Sequence, residues 1–306
     1  MRVALAFVFL LPSVSCAQTE EMIRSVEQKL ATLKWIQSQE APEGGFYAAP
    51  QNPNSKPAPV ASLRATSAAA RAWKYLGGEG LGSKFPNKEK HAAFVLKCYD
   101  PKTGGFAEPD GKPDVAVTSV GVMAAMELGV PKEKFAKAMD YLKANAKTFE
   151  EVRIAAAGVE AWGVKDCPFK LDDWVKVATD YAARPNPKDD PARVAGSATA
   201  FFLRLDRKLP DDLSLASLTL RSGQRKDGGW GKVEGDSDIE TTYRVMRALM
   251  LLRVKPKDPQ KLHEYLDAHR TKDAGYSTKP GDPSSMSGVY YYAIVSKWLD
   301  DMEEKK

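Results

Sequence analysis

Hydrophobic side chains recur along most of the chain with the spacing of an α-helix. Phe135, Met139 and Leu142 follow one another at intervals of four and three residues, and Trp174 begins another set with the same period. This spacing places the apolar side chains on one face of a helix and the charged side chains on the other. Such segments predict helices that pack on a core through one side only.

A second kind of segment alternates with the first and is apolar on all sides. The stretches 118–126 and 154–159 consist mainly of small and aliphatic residues. A helix that is apolar all round is covered by protein on both sides. The chain therefore predicts an all-α fold in which outer and inner helices alternate. The outer helices are expected near 21–39, 87–99, 132–146, 170–184, 211–224 and 258–270, and the inner helices near 61–76, 114–129, 150–162, 192–205, 238–253 and 283–299.

The predicted helical pairs share a sequence motif. A Gly-Gly-aromatic turn at 104–106 precedes Thr118, and another at 228–230 precedes Thr242; in both, the second glycine lies 13 positions before the threonine. The turns at 44–46 and 274–276 are variants of the same pattern. A hairpin with two apolar-sided helices cannot bury itself alone and must stack on its neighbours. We therefore expect an α/α toroid of six helical hairpins whose inner helices line a central bore.

Residues 1–17 have the features of a secretory signal peptide. Arg2 is followed by nine apolar residues, and the small residues Ser15 and Ala17 precede a cleavage site after Ala17. The apolar run is too short for a permanent transmembrane helix. The alternatives are lipidation of Cys16, as in a bacterial lipoprotein, and an N-terminal helix that packs on the domain. We expect an exported protein, periplasmic or extracellular, with a toroid domain over residues 18–306.

Composition limits the chemistry of the chain. A net charge of +5 with interleaved signs does not predict nucleic-acid binding. The three histidines, His91, His263 and His269, fall on predicted outer helices, which face away from the bore. After removal of the leader only Cys98 and Cys167 remain, and the sequence leaves open whether they pair.

The Gly-Gly-aromatic turn, the loop after it and the D-x-x-x-T helix start resemble the repeat of protein prenyltransferase β subunits. More distantly they are similar to the squalene and terpene cyclases. The resemblance extends over the mature chain through the six pairs, and its nearest pattern is the β subunit of type II protein geranylgeranyl transferase. It implies an isoprenoid ligand, a zinc ion that activates a thiolate and an α-subunit partner. No α subunit is evident in this sequence.

The resemblance also implies positions for the catalytic and metal-binding residues. The family aspartate falls on Asp238, the family cysteine on Glu240 and the family histidine on Met286. A catalytic zinc site needs about three ligands from cysteine, histidine and carboxylate, and methionine suits a hard dication poorly. Asp238 and Glu240 remain the candidate catalytic and metal ligands, but two mismatches argue against a zinc cofactor. Of the basic pair that holds the isoprenyl diphosphate, Lys232 represents one member and Gly235 replaces the other.

Asp238 also has a purely structural interpretation. Asp114 and Asp238 each stand just before a predicted inner helix, where a carboxylate caps the first turn. Asp236 and Glu240 bring the number of carboxylates to three in five residues, which repel one another unless a cation or Lys232 compensates them. The sequence therefore allows a helix cap, an acidic loop or a metal–diphosphate site at this position.

Aromatic side chains on the predicted inner helices are candidates for contact with a ligand. Tyr243, Tyr290 and Tyr291 are the predicted substrate-binding residues. The same helices also carry Trp73, Trp162, Phe201, Phe202 and Tyr292. An aromatic lining suits an isoprenoid or another elongated apolar ligand. On a doubly covered helix the same residues also serve to fill the core.

Three functions are compatible with the sequence. The first is an exported toroid that binds a hydrophobic ligand, a peptide or a glycan in its bore or on its rim. The alternative is an active geranylgeranyl transferase-like enzyme that moves an isoprenoid from its diphosphate to an acceptor. A terpene cyclase-like enzyme is a further alternative, although residues 236–239 read Asp-Ser-Asp-Ile instead of the Asp-x-Asp-Asp of that family. Export favours the first function, because isoprenyl diphosphates and their usual protein acceptors are cytosolic.

Overall fold

The computed structural model describes residues 16–52, 58–233 and 235–304. Within these ranges the chain forms twelve α-helices and no β-strand, and its β-type pairings are four isolated bridges. The outer helices are α1 (Cys16–Ser38), α3 (Lys88–Lys97), α5 (Lys137–Asn145), α7 (Asp172–Ala183), α9 (Ala216–Ser222) and α11 (Pro259–Asp267). The inner helices are α2 (Leu63–Tyr75), α4 (Val115–Glu127), α6 (Phe149–Trp162), α8 (Pro191–Arg204), α10 (Ile239–Leu252) and α12 (Met286–Glu304). The predicted all-α class and the six outer–inner pairs are confirmed.

The six inner helices form a closed ring. Each packs against the next, from α2 through α4, α6, α8 and α10 to α12, and α12 packs against α2. The outer helices cover this ring; α7, for example, packs on both α6 and α8, and α9 on both α8 and α10. The ring is the predicted α/α toroid.

Two outer helices are shorter than the sequence predicts. The segments Lys132–Lys134 and Asp211–Leu213 form 3-10 turns, and α5 and α9 begin only after them. Phe135 interrupts the first of these segments because its φ of −140° is not helical. Its buried ring packs edge-on against Trp162, so the interruption places an aromatic anchor between an outer and an inner helix.

The repeated turn forms the same hydrogen bond in three of the hairpins. The backbone N–H of Trp230 donates to Thr242 Oγ1 at 3.0 Å, and Phe106 and Thr118 form the same bond at the same distance. Positions 46 and 66 repeat it in the first hairpin. Since the aromatic rings are fully buried, each turn fixes an anchor in the core and ties it to the first turn of an inner helix.

The first glycine of the turn lets it approach the next outer helix. Gly228 has a φ of +97°, and a Cβ there would lie 2.1 Å from the carbonyl oxygen of Lys261 in α11. Gly104 faces the carbonyl oxygen of Lys137 in α5 in the same way, at 2.6 Å. Only glycine combines this backbone conformation with so close a contact. The motif therefore joins each hairpin to the following one.

The histidines and cysteines have structural surroundings. His91 is fully buried and its Nδ1 accepts a hydrogen bond from the N–H of Gly45 at 2.9 Å, while His269 Nδ1 lies 3.0 Å from the carbonyl oxygen of Ser277. Cys98 and Cys167 are both free thiols. No helix in the described ranges is long and apolar enough to cross a membrane. The predicted leader falls on residues 1–15, which lie outside the described residues, and on the first two residues of α1.

Candidate functional site

The bore contains two cavities. The amino-terminal chamber has a volume of about 330 Å³ and lies mostly between the first halves of the inner helices. The carboxy-terminal chamber has a volume of about 500 Å³ and lies between their second halves. Arg71, Met123 and Ala157 line both, so they form the boundary between the chambers.

The amino-terminal chamber has a cationic part and an apolar part. Its charged lining residues are Arg64, Arg71, Arg153, Arg204, Arg244 and Glu240. Its aliphatic lining residues are Ala68, Val120, Met123, Ile154 and Ala157, and its tyrosines are Tyr243, Tyr290 and Tyr291. Helix α4 supplies aliphatic side chains only, and it stands opposite α10 in the ring of six. The chamber is thus amphiphilic, with a strong excess of positive charge.

The carboxylates at this chamber are held in ion pairs. Glu150 lies 3.0 Å from Arg153 and 2.9 Å from Arg244, while Glu240 lies 2.6 Å from Arg244. Burial alone raises the pKa of Glu150, but the two guanidinium groups overcome it and lower the pKa to about 2. The same balance lowers the pKa of Glu240. Both carboxylates are therefore ionised at neutral pH and do not supply a proton.

Deeper in the bore, positive charge exceeds negative charge. Glu160 pairs with Arg204, at 3.3 Å, and with Arg247. Arg71 forms no ion pair with a carboxylate in the described part of the chain; its Nη1 lies 3.2 Å from the sulfur of Met123, and its guanidinium lies 5.2 Å from the ring centre of Tyr290. Counting Arg153 and Arg244, five guanidinium groups surround the carboxylates of Glu150, Glu160 and Glu240.

Tyr243 lies within this cluster. Its hydroxyl oxygen accepts a hydrogen bond from Arg204 Nη2 at 3.2 Å and another from the hydroxyl of Tyr290. Burial raises the pKa of Tyr243, but Arg204, Arg71 and Arg247 overcome it and lower the pKa to about 7. Burial raises the pKa of Tyr290 well above its usual value, and Tyr290 stays the donor of the pair. The phenolate of Tyr243 is thus available near neutral pH to offset part of the excess positive charge.

The residues aligned with the family zinc ligands do not form a metal site. The carboxylate of Asp238 caps α10 by accepting the N–H of Thr241 at 2.8 Å, whereas Glu240 is paired with arginine. Met286 is 1% exposed and packs in a hydrophobic cluster with Trp35. Among the described residues there is no group of three or more histidine, cysteine, aspartate or glutamate side chains that could hold a metal ion. The donor set therefore does not fit zinc.

The predicted substrate-binding residues occupy different positions. Tyr243, Tyr290 and Tyr291 line the amino-terminal chamber. The side chain of Lys232 is 53% exposed, and its Nζ lies 3.6 Å from Glu240 outside the lining. The other inner-helix aromatics mostly fill the core, since Trp73, Trp162, Phe201 and Phe202 are all at least 93% buried and Tyr292 stacks on Tyr276.

The family model described as the prenyltransferase alpha-alpha toroid domain matches residues 2–77, 65–143 and 197–305. The chain belongs to this family. The search of curated proteins returned no match. The toroid is instead similar in structure to several solved proteins, at identities that show the fold alone.

One of these structures is a glycosidase variant in complex with glucose. It has a TM-score of 0.60 and 14% identity, and the alignment covers 92% of this toroid and 98% of that chain. The protein geranylgeranyltransferase-I of Candida albicans, complexed with GGPP, has a TM-score of 0.59 and 13% identity. The alignment covers 77% of this toroid and 84% of that chain. The type II terpene cyclase MstE from Scytonema, in complex with geranylgeranyl dihydroxybenzoate, has a TM-score of 0.59 and 11% identity. The alignment covers 93% of this toroid and 98% of that chain.

Sequence reasoning missed the arginines that dominate the bore of this toroid. Arg244 and Arg247 occur in α10, a helix of a kind predicted to be apolar on all sides. A charged residue in such a helix has only the bore to face. The two arginines in α10 were therefore the sequence signal that could have indicated a charged bore. Their alignment with Glu150 and Glu160 could not be read from the sequence, because 94 and 87 residues separate the partners.

A larger groove lies outside the bore. It has a volume of about 570 Å³ and a mainly apolar lining that includes Tyr47, Phe94, Tyr99 and Pro109. No cluster of buried charged groups converges on it, and the acidic side chain of Glu108 at its edge caps α2 by accepting the N–H of Leu63. The bore is therefore the better candidate for specific chemistry.

Proposed function

We propose that this toroid binds a small amphiphilic organic anion in the amino-terminal chamber. A carboxylate or phosphate group of the ligand contacts the guanidinium groups, and its apolar body lies against α4 and α6. The observation that carries the proposal is a lining of five arginines and one carboxylate that also has an aliphatic wall.

The excess positive charge favours an anion. Arg71 lies at the boundary of the two chambers without a carboxylate partner among the described residues. Its guanidinium contacts the sulfur of Met123 and the rings of Tyr75 and Tyr290, and it hydrogen-bonds the side chain of Tyr75. A charge held away from water gains much from a counter-ion, because electrostatic interactions strengthen as the local dielectric constant falls. Guanidinium groups also bind carboxylate and phosphate through paired hydrogen bonds.

The aliphatic and aromatic lining favours an apolar body on the same ligand. Val120, Met123 and Ile154 offer no hydrogen-bonding side chain, and Tyr290 and Tyr291 add ring surface. Ligand pockets typically combine such a wall with a few polar groups that fix orientation. Two similar structures carry GGPP and geranylgeranyl dihydroxybenzoate, which supports a ligand with a hydrocarbon part.

Binding without metal-dependent transfer agrees best with the donor set. Prenyl transfer to a thiol in this family requires zinc, and Asp238, Glu240 and Met286 here serve as a helix cap, an ion-pair partner and a core residue. The proposal therefore includes no zinc and no transfer step.

The bore also lacks what two other reactions need. A cyclase must stabilise a carbocation, which five guanidinium groups would repel. A glycosidase of the usual kind needs one protonated and one ionised carboxyl group. The carboxyl group of Glu150, with a pKa of about 2, does not act as the acid, and the lowered pKa of Glu240 argues the same way.

The binding test separates the anionic head from the apolar body. Calorimetric titration compares geranyl diphosphate, geranate, geraniol and inorganic pyrophosphate. We expect geranyl diphosphate or geranate to bind more tightly than pyrophosphate and geraniol to bind least. Equal binding of geraniol, or no binding of either amphiphilic anion with a Kd below about 1 mM, would contradict the proposal.

A substitution tests whether the guanidinium groups hold the head. Arg71→Met retains most of the side-chain volume and should weaken binding of the anionic amphiphile at least about tenfold, since charged hydrogen bonds are involved. The matched control is Arg184→Met, because Arg184 directly follows α7 and does not line the chamber. Its side chain is 78% exposed. An unchanged affinity in Arg71→Met would exclude this site.

We also propose that the protein is exported through the leader at residues 1–17, with cleavage after Ala17 or lipidation of Cys16, and that residues 18–306 form the toroid domain. The sequence of the leader supports this proposal. Intact-mass measurement of the chain purified from cells that export it distinguishes the three outcomes: a free N-terminus at residue 18, an acylated Cys16, or an uncut leader. The uncut leader would contradict export by cleavage.

A further inference from the structure

We propose that a recess beneath the amino-terminal chamber binds one monatomic anion, a halide such as chloride. The recess lies between Ser197 of α8 and the guanidinium groups of Arg153, Arg204, Arg244 and Arg247. The recess shares Arg153, Arg204 and Arg244 with the amino-terminal chamber, but Ser197 lines only the recess.

The size of the recess selects a very small ligand. Its open volume is about 10 Å³, which is room for a single water-sized particle. A carboxylate or phosphate group does not fit in this space. A monatomic ion or one water molecule does.

Ser197 provides an independent indication of a ligand. It is 1% exposed, it lines the recess, and its hydroxyl has no hydrogen-bond partner among the described residues. Leaving a buried hydroxyl unsatisfied costs about 1–3 kcal/mol, so native proteins seldom do so without a bound partner.

The other polar groups around the recess distinguish an anion from water. The Nε–H group of Arg247 is buried and also lacks a hydrogen-bond acceptor in the described part of the chain, whereas Arg204 Nε lies 3.3 Å from Glu160 Oε2. The Nε–H of Arg247 and the Ser197 hydroxyl are therefore donors that need an acceptor. A water molecule would bring two further donor hydrogens into a space that already has too many. A halide only accepts hydrogen bonds.

The charge around the recess points the same way. Four guanidinium groups line it, and three carboxylates pair with them, those of Glu150, Glu160 and Glu240, which leaves one positive charge in excess. Tyr243 is the remaining group that could offset the excess, through its phenolate. A bound halide supplies the missing charge without ionising the phenol.

The first experiment measures thermal unfolding of the full chain at fixed ionic strength and pH 6, with sodium chloride, bromide or gluconate. Gluconate is too large for the recess. We expect the unfolding temperature to rise with chloride or bromide along a saturable curve, as for a ligand that binds the folded state only. The same dependence in gluconate, or no saturable dependence, would overturn the proposal.

Matched variants on α8 test the position of the ion. Ser197→Ala removes the hydroxyl and should weaken halide binding about tenfold or more, because the lost hydrogen bond is to a charged group. Thr199→Val removes another buried hydroxyl that has no partner among the described residues, but Thr199 does not line the recess, so the halide affinity should not change. Equal effects in the two variants would show a general change in stability instead of a bound ion.

A bromide-soaked crystal gives a direct answer. An anomalous peak within hydrogen-bond distance of Ser197 Oγ would confirm the site. Water density there, or bromide peaks confined to the surface, would show an adventitious ion only and would overturn the proposal. Because no amphiphilic ligand is present, failure here leaves the organic-anion proposal unaffected, and the reverse also holds.

Discussion

The turns at the edge of the toroid and the centre of its bore solve opposite problems. The turns repeat one arrangement in three different hairpins: the backbone N–H of a buried aromatic residue donates to the hydroxyl oxygen of a threonine at 3.0 Å. The bore does not repeat: Arg71, Arg204 and Arg247 come from three helices and meet at one tyrosine. The turns form a repeated framework that stabilises the fold, whereas the bore is the region where we propose that a ligand binds.

The two regions also differ in how their polar groups are satisfied. In the turns, the backbone N–H of each aromatic residue has a threonine acceptor within the motif. The burial of the apolar ring carries no electrostatic cost. In the bore, guanidinium groups outnumber carboxylates, and two buried donors at the recess, Ser197 Oγ and Arg247 Nε, lack acceptors among the described residues. Surplus donors are costly to an isolated protein, so the bore has the composition of a region adapted to a ligand.

The largest expected effect is at a turn. Trp230 is fully buried, and its Nε1–H donates to the carbonyl oxygen of Leu220 at 2.8 Å. Trp230→Ala should lower the free energy of unfolding by about 3–5 kcal/mol, because it leaves a cavity and an unsatisfied carbonyl. Urea denaturation gives this value. The control is Leu218→Ala on α9, the helix that contains Leu220, where a 62% exposed side chain should change stability by less than about 0.5 kcal/mol. Similar losses in both variants would contradict the assignment of stability to the turn.

The second effect tests whether the turns are equivalent. Thr242→Val removes the acceptor for the N–H of Trp230 and keeps the side-chain volume. A buried donor left without an acceptor should cost about 1–3 kcal/mol. Thr118→Val should cost the same within about 0.5 kcal/mol, since Phe106 has the same geometry. Urea denaturation of both variants checks this, and a loss at only one of the two would show that the motif is repeated in sequence but not in energy.

The contrast between the regions also explains what the sequence predicted. The hydrophobic period and the Gly-Gly-aromatic motif are local signals, and they located twelve helices, the closed ring and the caps at Asp114 and Asp238. The family resemblance, carried by the same motif, proved to be correct. Features that repeat at short range are therefore readable from one sequence.

The chemistry of the bore was not readable in the same way. The sequence placed Tyr243, Tyr290 and Tyr291 at the bore, but it expected a hydrophobic lining, and the structure shows a chamber with five arginines. The reason is that pairs such as Arg244 with Glu150 join different helices, so their charges meet only after the ring closes. The number of residues between such partners follows no repeat in the sequence, so the pairing could not be predicted.

The third effect concerns Asp238 and distinguishes its two interpretations. Asp238→Ala should lower the free energy of unfolding by about 1 kcal/mol through loss of the cap, and Asp114→Ala should do the same. Metal analysis of the purified protein should show no difference between either variant and the unaltered chain. Stoichiometric zinc that disappears only in Asp238→Ala would overturn the structural interpretation.

The smallest effect is a titration within the bore. The pKa of Tyr243, lowered to about 7 by its arginine neighbours, predicts that a phenolate band appears in the near-ultraviolet spectrum as the pH rises through 7 in halide-free buffer. The band should be absent in Tyr243→Phe. Saturating chloride should move the titration to higher pH, because an anion beside the phenol opposes its ionisation. If chloride does not shift this titration, the phenol of Tyr243 does not lie beside the bound anion.

The sign of the accompanying stability change follows from the direction of the shift. Because the pKa of Tyr243 is lower in the folded chain than the value of 10.0 expected in the unfolded chain, ionisation favours the folded state. The contribution is complete above pH 10 and is lost as the pH falls through 7. Without halide, the stability of the unaltered chain relative to Tyr243→Phe should therefore increase from pH 7 towards pH 10, and chloride should reduce that increase. Neither Phe106 nor Thr118 carries a titratable group, so Thr118→Val should show the same loss at both ends of this range.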